Sequence, residues 1–421
     1  MYNRNTSLRL TGTIFITQSL FSAAQIAILT LLTIMAAELS GRDSLAGIPV
    51  TINTLAVAIA SYPVGILMGK FGRRFGLTIS YGISILGAIL GVFAILQGWF
   101  WLLIVSAAGI GIGRAGGSQS RFIAGDLFFE NERARMIGVI VFAGTMGAIF
   151  GPQMVVPGGQ LSTYLGFDPN TGPWVIAAIF YTLATILTFI MLRPEPMKIA
   201  KIIEIEEDRR KKKKRDENDK GRPVRELLKL PRVQLAVISM LISQVVMVML
   251  MVMTPLHMVN HGHSTANVSI VITAHTLGMF GLSAVTGYLI DRLGRVPMMV
   301  VGALTLLTAA IISPLGTQMP FLVIGLFLLG LGWNFGYVAG SSLLSDALEG
   351  VESTRMQGAN DMFVSGAAAL GSFSSGPIFA TGGFITVAGL GIVVVLIFVW
   401  LIRLLAPQQS IPTITDELQN Q

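Results

Sequence analysis

The 421-residue chain contains no cysteine, which removes disulfides, thiolate catalysis and Cys-ligated metal from consideration. Charge is scarce as well: 12% of residues are Asp, Glu, Lys or Arg, where a soluble domain has about a quarter. No G-x-x-x-x-G-K-[ST] run occurs, so a nucleotide-driven pump is not expected. No other enzyme motif stands out, and no cofactor is called for. The first apolar stretch is too long, and too polar in its middle, to read as a cleaved signal peptide, and no small-residue cleavage site follows it. It is expected to stay in the membrane.

What the chain has in abundance is apolar surface: 53% of residues are hydrophobic and the mean hydropathy is +0.72. Stretches of 18 or more apolar residues recur along its whole length, and about 20 residues cross the hydrocarbon core as helix. The pattern predicts twelve spans at residues 11–36, 46–69, 75–96, 99–124, 136–157, 172–192, 233–257, 267–290, 296–314, 320–344, 358–380 and 382–404. The fold class is therefore all-α integral membrane.

The formal net charge of +7 invites a nucleic-acid reading, but its distribution argues for a membrane. Residues 193–232 hold 15 Lys and Arg against 9 Asp and Glu. Outside that segment Arg4, Arg9, Lys70, Arg73, Arg74, Arg133, Arg135, Arg292, Arg295, Arg355 and Arg403 fall near turns on one side, and Arg42 on the other. The positive-inside rule then puts both termini and the linker in the cytoplasm of a plasma-membrane protein. The run at 204–220 reads as a solvated mixed-charge linker. PVRELLKLPR after it reads as a short amphipathic helix with Leu227, Leu228 and Leu230 on its apolar face. The organisation expected is an amino-terminal bundle at 1–192, a charged linker at 193–232, a carboxyl-terminal bundle at 233–404 and a cytoplasmic tail at 405–421.

The halves repeat at an offset of about 220 residues. Gly65, Gly69, Gly72 and Arg73 match Gly287, Asp291, Gly294 and Arg295, while Asp126, Arg135, Gly138 and Gly151 match Asp346, Arg355, Gly358 and Gly371. Two parallel-related six-span halves place a substrate site at midplane between them. The loop at 287–295, GYLIDRLGR, resembles the signature of the major facilitator superfamily, G-x-x-x-D-x-x-G-R-[RK]. The resemblance implies two pseudo-symmetric six-helix bundles, with Asp291, Arg292, Arg295 and Arg73 latching their cytoplasmic ends. The first copy, GILMGKFGRR, has Gly69 where the acid belongs. In the fifth span Gly138, Gly147 and Gly151-Pro152 resemble the G-x8-G-x3-G-P pattern of the twelve-span drug/proton antiporters, with Val155 and Val156 where that pattern ends in glycines. Small residues at this spacing let helices approach, and Pro152 removes a backbone donor and kinks the span.

Ionisable groups inside hydrocarbon are costly and mark function by default. Arg114, midway along span four and flanked by glycines, is the expected substrate-binding cation, a structural Arg being its alternative. Arg121 and Asp126 are expected to pair as a gate. Gln18, Ser22 and Gln25 recur at i, i+4 and i+7, a polar stripe that should face a cavity. Asn53, Gln244, Asn334 and Trp333 complete the candidate site. No acid lies mid-span. Proton coupling is therefore assigned to His275 or Glu38. His257, His261 and His263 are read three ways: interfacial and inert, titrating, or in contact with a metal.

These features predict a secondary transporter that moves a small organic molecule by alternating access, exchanging it for protons in export. An uptake symporter or facilitator for an organic anion is the alternative, and a non-transporting sensor of the same fold a third. The partners expected are a small-molecule substrate, protons and lipid, with the chain acting as a monomer.

Overall fold

In lipid every backbone polar group has to be satisfied internally, which leaves helices as the economical answer for an apolar chain without barrel patterning. The computed structural model describes residues 3–211, 222–348 and 350–405, and these are helical with short connections. In order they are α1 (Arg4–Ser40), α2 (Ile48–Phe71), α3 (Arg73–Gln97), α4 (Phe100–Asp126), α5 (Glu130–Phe150), α6 (Val155–Tyr164), α7 (Gly172–Met191), α8 (Pro196–Lys211), α9 (Val224–Leu227), α10 (Pro231–Asn260), α11 (Thr265–Thr276), α12 (Ser283–Leu293), α13 (Arg295–Ile312), α14 (Met319–Ala347) and α15 (Gly350–Leu405).

Ten of these segments, some of them joined helices, are long and apolar enough to cross a membrane, and α11 with α12 makes an eleventh, bent by 42°. The 56-residue α15 leaves helical geometry at Gly382 and Gly383, the latter at φ 67°. At 1.5 Å per residue it would be roughly 84 Å long, against about 30 Å of hydrocarbon. It is two spans joined at the glycine pair, which makes twelve crossings among the described residues and leaves Arg4 of the first and Leu405 of the last on one face, here called the terminal face.

Local chemistry explains the punctuation. Asn3 caps α1, its side chain accepting from the N–H groups of Asn5 and Thr6. Gly72 (φ 101°) and Gly294 (φ 93°) occupy equivalent turns before α3 and α13, a backbone region that only glycine enters cheaply. Pro152 ends α5, and a 3₁₀ turn over Pro152–Met154 leads into α6. Across from it, a π-helical turn over Leu277–Gly281 separates α11 from α12.

One hydrophobic core draws on residues between Leu10 and Ile203; the second draws mainly on residues between Leu235 and Ile402 but takes in Ala37 and Ala46. The halves meet on the face away from the termini. There Gly47 abuts the Ser372 carbonyl, Gly376 abuts the Ser44 carbonyl, and Thr51 Oγ1 shares a 2.8 Å hydrogen bond with Ser372 Oγ. Toward the terminal face α2 and α15 have room around them: a Cβ added at Gly65, Gly69, Gly358 or Gly366 would meet nothing within 4 Å. The ion pairs Arg4–Glu132, Arg73–Asp126, Arg133–Glu207, Arg222–Glu352 and Arg295–Asp346 each stay within one half. The molecule is closed at the far face and open at the terminal face.

The linker departs from expectation. α8 is helical and buries Ile199 and Ile203 in the amino-half core, so the first part of the segment docks on a bundle. Its anchor is Glu195, whose carboxylate accepts from the Arg73 and Arg74 N–H groups at 2.6 and 3.2 Å. Residues 212–221 and 406–421, which include most of the expected charged run and the tail, lie outside the described residues. The expected amphipathic helix is the single turn α9, with Leu227 buried against the carboxyl half. Beside it Arg222 makes two side-chain hydrogen bonds to Glu352, at 3.0 and 2.9 Å. Arg222 holds the Glu352 carboxyl at about 2, against an ordinary 4.5. A depressed carboxyl pKa stabilises the contact above the ordinary value and loses that effect as pH falls through the depressed one. Amide protection at residues 224–230, read as exchange relative to the unfolded chain, is therefore expected to hold above about pH 5 and to fall between about pH 4 and about pH 2.

The glycines of span five are not equivalent. A Cβ at Gly147 would strike the Ser19 carbonyl, and one at Gly151 would lie 2.7 Å from the Ala23 carbonyl, while Gly138 is open. Gly147→Val should destabilise the protein by about 1–3 kcal/mol, and Gly138→Ala by less than about 0.5 kcal/mol. Thermal unfolding in detergent would measure both, and equal effects would show that the α1–α5 contact is not the reason for the glycines.

Candidate functional site

The polar stripe of α1 faces inward because the opposite side of the helix is taken up by core residues such as Ala24, Ala27 and Leu31. It borders a cavity of about 380 Å³ lined by Gln18, Ser22, Gln25, Arg114, Ser118, Ser120, Arg121 and Thr145, among others. Ser19 and Ser22 donate to the carbonyls of Ala143 and Gly144 at 2.9 and 2.7 Å, bolting α1 to α5. Gln18 accepts from Ser120 Oγ at 3.0 Å. With its amide turned so that the oxygen faces the guanidinium, Gln25 accepts from Arg114 Nε at 3.0 Å and Nη1 at 3.3 Å.

Arg114 lies deep in the protein, yet its side chain is exposed, because the cavity opens onto it. The glycines around it pack against neighbouring helices instead of clearing space for it. Gly113 and Gly116 back onto Ser80 and Ser84, and Gly117 onto Phe21, so they bring α3 and α1 close and let the arginine project from a tightly packed helix. Beneath it Phe21 stacks on Tyr81 and tilts against Tyr181, each with ring centroids 4.9 Å apart.

The carboxyl half contributes Phe280 to the wall. Phe280 belongs to the π-helical turn, and the extra residue there shifts the register of the helix at that level. Behind it Trp333 stands edge-on at 6.0 Å and stacks on Tyr337 at 4.8 Å. Trp333 Nε1 donates to Gln244 Oε1 at 2.9 Å, which holds the indole in place. The cavity thus has a cationic, amide-rich side and an aromatic side on different halves.

Other expected site residues lie elsewhere. Asn53 is buried and donates to the Ala107 carbonyl at 2.9 Å, tying α2 to α4. Asn334 is buried, donates to the Met279 carbonyl and Ser283, and accepts from Thr286, tying α14 to the broken helix opposite. His275 is sealed between α11 and α14, its Nδ1 3.0 Å from the Leu326 carbonyl. It is not among the residues that line the cavity. Glu38 is an exposed end of α1 whose carbonyl accepts from Gly41. His257 stacks on Phe384, His261 bonds the His257 carbonyl, and His263 bridges Thr317 and Asn267. Among the described residues no three ligating side chains converge on a metal position.

The residues expected to gate pair within halves. Arg73 reaches Asp126 at 3.2 Å and Arg295 reaches Asp346 at 2.8 Å, the same contact repeated in both halves. Asp291 is 78% exposed and 3.8 Å from Arg295, while Arg292 donates to Tyr288. Arg121 does not pair with Asp126 as expected; its guanidinium lies 4.7 Å from the Phe122 ring centroid.

The family model described as Major Facilitator Superfamily matches residues 14–271 and 236–419. The chain belongs to that superfamily. An uncharacterised MFS-type transporter of Bacillus subtilis, YdeG, is 35% identical over 362 residues, covering 85% of this chain and 83% of its own. The riboflavin transporter RfnT of Brucella anthropi is 29% identical over 397 residues, covering 93% and 95%. Among solved structures, a bacterial homologue of the human lysosomal transporter Spinster, inward-facing and occupied, superposes with a TM-score of 0.70 at 16% identity over 96% of this chain and 97% of that one. A D-xylose-proton symporter gives 0.68 at 16% identity, over 94% and 97%. This facilitator is thus a membrane transporter and not an enzyme. Phe280, Ser118 and Thr145 were missed in the sequence because a π turn and helix rotation, neither with a residue signature, decide that they face the cavity.

Proposed function

We propose that this facilitator exports a small organic molecule carrying an anionic or acceptor-rich group, by alternating access and in exchange for protons. The observation that carries the reading is Arg114, a guanidinium deep in the protein, exposed to a cavity and held by Gln25. Its fixed fork suits a carboxylate, phosphate or carbonyl pair. The basic loops support a plasma-membrane orientation with both termini cytoplasmic, so the open face loads from the cytosol. The close packing of Gly147 and Gly151 on α1 supports the antiporter-like reading of span five. We take residues 1–192 and 233–404 as the two moving bodies, with α8 riding on the first.

The named cargo of the Brucella relative makes riboflavin the first probe, and its carbonyl-edged flat ring suits a cavity with amides on one side and Phe280 on the other. Right-side-out vesicles loaded with riboflavin, or with simple organic anions, should lose them faster when the outside is made acid. Accumulation under the same gradient would replace export with uptake symport. No flux of any probe in either direction would sink the reading.

A further inference from the structure

A proton-coupled cycle needs a titrating group that both alternating states feel, and neither His275 nor Glu38 borders the cavity. The repeat supplies another. At the offset that maps Gly138 onto Gly358 and Gly151 onto Gly371, Val141 of α5 maps onto Asp361 of α15. Val141 lines the central cavity, so Asp361 occupies the corresponding position on its own half, and its side chain is exposed.

On the amino half Arg121 lines the cavity that Val141 borders, about two turns nearer the terminal face than Arg114. Arg121 Nε is buried without a hydrogen-bond partner. Among the described residues its guanidinium has a ring for a neighbour and no carboxylate within 4.0 Å. The two side chains nevertheless lie within electrostatic reach of each other, and Tyr337 of α14 lies within reach of both. From α10, Met240 receives the neighbouring Asn360. On α15 itself Arg355 donates to the Arg222 carbonyl. At that end of the carboxyl half Arg295 pairs with Asp346 and Arg222 with Glu352, and Asp291 lies 3.8 Å from Arg295. Arg121 and Asp361 are therefore an acid and a base on opposite halves, separated because the terminal face is open.

We propose that Asp361 is the proton-coupling carboxylate of this facilitator: ionised, it pairs with Arg121 and closes the terminal face, and protonated, it releases Arg121 and lets that face open. This rests on the proton-coupled reading above. The step is a simple transfer of one proton between solvent and the Asp361 carboxyl; no other bond changes. Placing the charge pair across the mouth ties protonation to conformation directly, since the attraction acts only when the two halves approach.

The absence of native cysteine allows a test that needs no cargo. Spin labels on Gly69→Cys and Gly358→Cys, where added atoms meet nothing, report the width of the mouth by electron–electron double resonance. In the otherwise unmodified protein the short-distance population should rise by about threefold or more between about pH 5 and about pH 8. Asp361→Asn and Arg121→Gln should each hold the wide distribution at every pH, and the swap Arg121→Asp with Asp361→Arg should restore closure. A mouth indifferent to pH overturns proton control, and an Asp361→Asn protein that still closes with rising pH overturns the assignment to Asp361. Either result leaves the transport reading standing, because flux is measured separately.

Discussion

Oxidation of a Thr51→Cys, Ser372→Cys protein should stop transport completely, and a reductant should restore it. The two native hydroxyl oxygens are 2.8 Å apart across the far face, so sulfurs in their places start within an ångström of the roughly 2.0 Å disulfide bond length. On either side of this contact the halves meet backbone to backbone through Gly47 with Ser372 and Gly376 with Ser44. Such seams hold without large side chains: they exclude lipid and water while closed and part without dragging bulky groups past each other. A covalent bond there fixes the far face shut, so cargo bound from the terminal face has no exit. The chain brings no other thiol, and a crosslinked fraction read from a gel can be compared directly with lost flux. Full transport by a fully crosslinked sample would mean that the far face does not open at α2 and α15.

Replacing Arg114 should be nearly as damaging. Its guanidinium is held at Gln25 and faces the cavity beside Gln18, Ser118 and Ser120. Hydrogen bonds to a charged group contribute about 1.5–3 kcal/mol each, so Arg114→Ala should weaken binding of an anionic or acceptor-rich probe by roughly 10- to 100-fold. Arg114→Lys keeps the charge but loses the fork, and should fall between the two. Titration calorimetry with riboflavin or the anion that the vesicles transport would give the ratio, with melting temperature as the control for folding. Unchanged affinity in a folded Arg114→Ala protein would make the arginine structural, held for its contact with Gln25 alone.

Much of this facilitator was legible in one dimension. The α1 stripe of Gln18, Ser22 and Gln25 followed from spacing, and all three line one cavity. The repeated loops predicted equivalent turns, and Gly72 and Gly294 adopt almost the same positive φ. The break in span five follows from Pro152. The amides were harder: Gln18, Asn53 and Asn334 look alike in sequence, but one lines the cavity and two tie helices together. An amide satisfies its hydrogen bonds equally well in either setting, so residue type cannot separate them. The same ambiguity attends His275, whose ring nitrogen is met by the Leu326 carbonyl of α14.

The sequence by itself determined the solvent, the number of crossings and the family. Those properties are sums over many residues, and errors at single positions average out. Tertiary structure alone decided which face is open, which half each wall of the cavity comes from and which charges meet. Each of these turns on a helix rotation or a change of register, such as the π turn that accompanies Phe280 at the cavity wall. A rotation of that kind costs the backbone little and leaves composition untouched; it is set by the packing of Gly47, Gly147 and Gly151 against carbonyls hundreds of residues away or next door in the bundle.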